Sequence, residues 1–118
     1  MGTTNRERVR KGLDELKAGL IPFAEREFKA KLGPYWKEEV ITRQKRQTLQ
    51  LVDDAIQWDT HGLLKSMTDN WQSVFKYVLG PVERSYVSEI WDVRNKWAHE
   101  HPFTSDDVYR ALDTMERL

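Results

Sequence analysis

Apolar residues recur along this chain at steps of three and four, and no stretch alternates with a period of two. Thr4 and Glu7 stand three apart, as in a capping box. Behind them Val9, Leu13, Leu16, Leu20, Ala24 and Phe28 trace one face of a long helix over residues 5–32. Pro22 falls inside it, removes one backbone donor and crowds the preceding turn, so a kink or a break into two helices is expected there. Gly33-Pro34 ends the element. Residues 37–46 are strongly polar and fit either a surface loop or a short exposed helix. Leu51, Val52, Ala55, Ile56 and Trp58 predict a second helix over residues 48–58, and Asp59-Thr60-His61-Gly62 reads as a turn.

Leu63, Leu64 and Met67 open a further helical segment, which Trp71, Val74, Phe75, Val78 and Leu79 continue at helical spacing. Gly80-Pro81 stops it and starts the next, in which Val82, Tyr86, Ile90, Val93 and Trp97 share one face and which is expected to end at His101-Pro102. Thr104 as N-cap, Asp107 three residues on and Phe103 stapled to Val108 start a last helix, with Val108, Leu112, Met115 and Leu118 as its apolar stripe. The predicted fold is all-α, an up-and-down bundle of four to five helices. The chain reads as a single domain, residues 1–118. The last helix runs uncapped into Leu118, from which an N-terminal domain of a longer protein is expected.

Composition narrows the chemistry. At 118 residues, with 39% hydrophobic and 32% charged residues, the chain can bury one modest core. No window of about eighteen apolar residues and no apolar leader is present, so no membrane partner is expected and the protein is read as cytoplasmic. The absence of cysteine excludes disulfides, thiolate nucleophiles and cysteine-based zinc sites. Only His61, His99 and His101 remain as soft ligands, so neither a metal nor another cofactor is expected. The net charge is zero, yet residues 1–50 hold twelve Lys/Arg against seven Asp/Glu and residues 51–118 hold seven against twelve. That asymmetry can steer an anionic partner toward the N-terminal half, although such charges also serve as solvated helix faces. The five tryptophans are expected in the core.

Residues 94–99, Arg-Asn-Lys-Trp-Ala-His, hold the chemistry. An imidazole titrates near neutral pH and moves protons, and a guanidinium grips phosphate with a planar fork of donors. These groups suffice to cut RNA without a metal. His99 would deprotonate a ribose 2′-hydroxyl or protonate the leaving oxygen, Arg94 would neutralise charge on the phosphorane-like transition state, and Asn95 would orient either partner. Weaker candidates for RNA contact are Lys96, Trp97 and His101, with a surface lysine, a core tryptophan and a loop histidine as the plainer alternatives. At about 100° per residue, Arg94 falls in the apolar arc between Ile90 and Val87, His99 lies about 140° round from it, and Asn95 and His99 share a face. One straight helix therefore splays Arg94 and His99 apart. Either the helix is distorted near His99, or two subunits complete one groove as a symmetric homodimer.

The Arg94 to His99 element resembles the Rx4-6H motif of the HEPN family, in which a polar residue, often Asn, follows the Arg. The likeness extends to residues 6–9, to 19–27, to Asn70-Trp71 with Val74-Phe75, and to Phe103-Thr104. It points to the subfamily named after a eukaryotic nuclear endoribonuclease of transcript quality control, found in prokaryotes at the N-terminus of large ATPase or defence-associated proteins. The resemblance implies a helical bundle, dimerisation through the motif-bearing face and metal-independent RNase activity, with RNA as substrate and the C-terminal domains of a parent protein as partners. The alternative, since the family also contains inactive members, is a non-catalytic dimerisation or docking module. Some HEPN toxins are silenced by modification of a Tyr two residues after the His. That position here is His101, so this form of silencing is not expected.

Overall fold

A computed structural model of the protein describes residues 4–43 and 49–118. Helix α1 (Asn5–Leu32) starts where Thr4 Oγ1 accepts the Glu7 backbone N–H at 3.1 Å, and it buries Val9, Leu13, Leu20, Ala24 and Phe28. Pro22 does not break it: the helix runs through, with the proline on the solvent side. An interior proline costs about 3 kcal/mol. Buried side chains lie on both sides of it, each contributing about 1.5–3 kcal/mol, and together they outweigh that cost. Gly33, at φ 84°, closes the helix by donating its N–H to the Lys29 carbonyl.

The polar stretch that follows is helical as far as Arg43. Helix α2 (Trp36–Arg43) buries Trp36 and Val40, four residues apart, so it is anchored rather than merely exposed, and its expected continuation lies outside the described residues. Trp36 stacks on Phe28 with centroids 6.0 Å apart. Trp58 stacks on Phe28 at 6.2 Å, and Phe75 meets it edge-on at 5.1 Å. Phe28 is thus the hub of an aromatic core fed by four segments of chain. Three of the five tryptophans, Trp36, Trp58 and Trp71, are buried there.

The helix expected over residues 48–58 is instead a short antiparallel hairpin, with Thr48 outside the described residues. Strands β1 (Leu51–Val52) and β2 (Ala55–Ile56) pair Leu51 with Ile56 and Val52 with Ala55. Asp53 and Asp54 between them both take positive φ, 52° and 63°, which a two-residue hairpin turn of matching twist requires and which Asp tolerates better than most residues. The turn expected at residues 59–62 is a helix start. Asp59 Oδ1 accepts the Gly62 N–H at 2.6 Å and caps α3 (Thr60–Asp69).

The expected continuation of this helix to Leu79 fails at Asn70, whose side-chain amide donates to the Ser66 carbonyl at 2.8 Å while its Oδ1 accepts from Arg43 at 2.7 Å. The chain then turns, makes one short 3₁₀ segment (Phe75–Tyr77) and still buries Trp71, Val74 and Phe75.

Helix α4 (Pro81–Ala98) starts on Gly80-Pro81, with the Glu83 carboxylate accepting the Gly80 N–H at 3.1 Å. Val87 and Ile90 are its buried positions; Val82, expected on the same face, lies about 110° from their midpoint on the wheel and is 57% exposed. Helix α5 (Ser105–Arg117) begins with the expected capping box: Thr104 Oγ1 accepts from Asp107 N at 3.1 Å and Asp107 Oδ2 accepts from Thr104 N at 2.9 Å. It buries Val108, Ala111, Thr114 and Met115, and Leu112 of the expected stripe sits at the exposed edge. The five helices make an all-α bundle in which α1 lies against α5, α3 and α4, and α4 is held between α3 and α5.

Candidate active site

Three local devices fix the end of α4. The helix stops at Ala98, three residues before the expected end, with His99 as its cap and Glu100 at φ 58°. The Glu100 N–H then reaches the Trp97 carbonyl at 3.1 Å and the His101 N–H reaches the Lys96 carbonyl at 2.9 Å. This pair of reverse bonds is a Schellman closure, with Glu in the left-handed place usually given to Gly. It holds the His99 backbone, whose N–H bonds to the Asn95 carbonyl at 3.0 Å, in one position at the exposed tip of the helix.

Arg94 stands one and a half turns earlier, half-buried beside Val87 and Ile90. It enters a small groove of about 190 Å³ between α1, the start of α3 and α4, shared with Arg10, Asp14, Lys17, Asp59 and Trp97. Its Nη1 lies 3.5 Å from Asn95 Oδ1, and among the described residues no carboxylate pairs with it within 4 Å. A partly desolvated guanidinium with only a weak amide contact retains most of its donors for an anion. Asn95 connects the two faces of the helix. Its carbonyl holds His99 and its side chain touches Arg94, but no contact joins the Arg94 and His99 side chains.

Of the three weaker candidates, Lys96 and His101 lie apart from this group, whereas Trp97 lines the Arg94 groove. Lys96 pairs with Asp92 at 3.0 Å, and it lines with His101 a separate cleft of about 480 Å³ between α4 and α5. Trp97 is half-buried. The Arg6 guanidinium covers its ring at 4.6 Å and donates to its carbonyl at 2.7 Å, so one face of the indole is already occupied.

The structure adds a residue that the sequence reading treated as part of a turn. His61, in the first turn of α3, accepts a hydrogen bond at Nδ1 from the Trp91 indole N–H at 3.2 Å, with the rings edge to face at 5.6 Å. Trp91 is three residues before Arg94 on the same helical face, which brings His61 and Arg94 together. Burial holds the His61 imidazole below its usual pKa, and Arg94 and then Lys65 lower it further, against an opposing pull from Asp59. The Asp-x-x-Gly spacing of residues 59–62 is the sequence signal that places His61 on a helix.

A family model described as Swt1-like HEPN matches residues 11–118, covering most of α1 and all of α2 to α5. The chain belongs to the HEPN family. Comparison of this HEPN domain with curated proteins and with solved structures finds no match. Its Arg94-to-His99 element occupies the end of the penultimate helix. Among the described residues of the domain, no group of three His, Cys, Asp or Glu side chains is placed to hold a metal ion, and no helix is long and apolar enough to cross a membrane.

Proposed function

We propose that this HEPN domain is a metal-independent endoribonuclease whose site is completed by a second copy of the chain. The observation that carries the reading is Arg94: a half-buried guanidinium, without a carboxylate partner among the described residues, one residue from Asn95 and on the helix that ends at His99. The 2′-oxygen of a ribose attacks the adjacent phosphorus, the bond from phosphorus to the 5′-oxygen breaks, and the products carry a 2′,3′-cyclic phosphate and a 5′-hydroxyl. The His99 imidazole takes the 2′-proton and, so protonated, returns a proton to the 5′-oxygen. Arg94 neutralises the non-bridging oxygens, and Asn95 orients Arg94. DNA lacks the 2′-hydroxyl and is inert in this chemistry. Because His99 and Arg94 point about 140° apart on one helix, the domain acts as a homodimer with α4 of one copy against α4 of the other. In this reading it serves as the RNA-cutting part of a longer cytoplasmic protein directed at foreign or aberrant RNA.

The test is incubation of the purified domain with single-stranded RNA in excess EDTA. Cleavage with cyclic phosphate ends is expected, and its loss by at least about a hundredfold in both Arg94→Ala and His99→Ala. Cleavage that survives both substitutions, or that EDTA abolishes, overturns the proposal. A second reading, a non-catalytic docking module, draws on Tyr77, Val78 and Val82, three exposed apolar residues within six positions of chain from the 3₁₀ segment to the first turn of α4. It is the reading that remains if wild-type protein leaves RNA intact.

A further inference from the structure

Trp91 is a donor only, so the short contact between its indole nitrogen and His61 Nδ1 has one chemical interpretation: Nδ1 presents its lone pair. The neutral imidazole then carries its proton on Nε2. Protonating Nδ1 as well would break the Trp91 bond and set a second positive charge beside Arg94. The charged groups acting on His61 are Arg94 and Lys65, which oppose that protonation, and Asp59, which favours it. Asp59 is already engaged by the Gly62 N–H. Among the described residues Nε2 has no hydrogen-bond partner, and it is not sealed from solvent. The outcome is an imidazole fixed in tautomer and orientation, with an N–H left open on the turn of α3 that packs against the Trp91 and Arg94 face of α4, where the Arg94 charge is felt.

A group held in this way makes a poor proton carrier. It has no free lone pair to act as a base, and its proton is retained near neutral pH. It is instead suited to stabilise an anion. We infer that His61 is an additional site residue, a hydrogen-bond donor that together with Arg94 binds a non-bridging oxygen of the scissile phosphate, with Trp91 as its positioning residue. The inference rests on the ribonuclease reading above. It divides the work between two histidines: His99 at the exposed helix end moves protons, and His61 holds charge.

Phosphorothioate RNA tests it. With a single sulfur in place of one or the other non-bridging oxygen at the cleaved linkage, wild-type protein is expected to discriminate between the two diastereomers. His61→Ala should cleave all-oxygen RNA about tenfold or more slowly, mainly in kcat, and lose that discrimination, because sulfur and the substitution remove the same hydrogen bond. His61→Gln, which restores an N–H at similar reach, is expected to recover most of the rate. Both limbs of the pH–rate profile should persist in His61→Ala, since no proton carrier has been removed. Discrimination that is unchanged in His61→Ala, or loss of one limb of the profile, overturns the inference and leaves the ribonuclease reading intact. Wild-type protein that does not cleave removes both. A measurement independent of variant folding is nitrogen-15 NMR of the wild-type histidines: His61 is expected as the Nε2–H tautomer, and an Nδ1–H signal overturns the assignment.

Discussion

Two residues near the end of α4 sit where stability alone would not place them. Arg94 occupies the arc of the helix that also carries Val87 and Ile90, and it is half-buried without a carboxylate partner among the described residues. Desolvating a guanidinium without pairing it costs free energy, which marks sites kept for function at the expense of the fold. Arg94→Leu is therefore expected to raise stability by roughly 0.5–1.5 kcal/mol while abolishing RNA cleavage, measured by denaturant melts beside the cleavage assay. A substitution that both destabilises and inactivates would show that Arg94 serves the fold. Glu100 is the second such residue. Its left-handed backbone closes α4, and a residue with a side chain pays about 1 kcal/mol there that glycine does not. Glu100→Gly is expected to stabilise the domain by about 0.5–1 kcal/mol. Unchanged cleavage would show that the closure serves His99 by its shape alone.

The elements differ in how far local sequence determines them. The starts of α1 and α5 were legible because the caps at Thr4 and Thr104 and the apolar stripes behind them lie within a few residues of one another. The hairpin was not, since its strands are apolar pairs too short to alternate and its turn depends on two aspartates adopting left-handed geometry. The break at Asn70 was hidden for a different reason: Arg43, twenty-seven residues away, binds its side chain, and no periodicity reports that contact. The same holds for the site. Arg94 in the buried arc followed from helix geometry, whereas the meeting of His61 with Trp91 arises from the packing of α3 on α4. Cap chemistry also makes α5 sensitive to pH. Hydrogen bonds from the backbone and side chain of Thr104 hold Asp107 below the 3.8 of an ordinary aspartate. Its contribution is present above that value and disappears as pH falls through the lower folded value. Asp107→Asn is accordingly expected to melt below wild type at pH 7, and the gap should close on acidification. A gap that stays constant with pH would show that the carboxylate charge has no part in the cap.

At the scale of the whole molecule, the charge asymmetry of the sequence does not become two charged lobes, because α1 lies across α3, α4 and α5. What it does provide is local: Arg10 and Lys17 of α1 line the same groove as Arg94, with Asp14 paired to Arg10 and Asp59 at the rim, so Lys17 and Arg94 are its cations without a carboxylate within 4 Å among the described residues. His99 remains on another side of α4, so the composite site makes a prediction that a self-sufficient monomer cannot share. If Arg94 comes from one copy and His99 from the other, Arg94→Ala and His99→Ala proteins, each inactive alone, rescue one another when mixed. The mixed dimer pairs the intact Arg94 of one with the intact His99 of the other in one of its two grooves. Random exchange of equal amounts makes half of the dimers mixed, so the mixture should recover about a quarter of wild-type activity. A site built within each copy leaves the mixture as inactive as its parts, because every site then lacks one of the two groups. The measurement requires subunit exchange, which mass spectrometry of an isotope-labelled mixture verifies directly. Exchange without recovered cleavage, in a protein whose wild type cuts RNA, would return Arg94 and His99 to a single copy and require α4 to bend at its Schellman end when RNA binds.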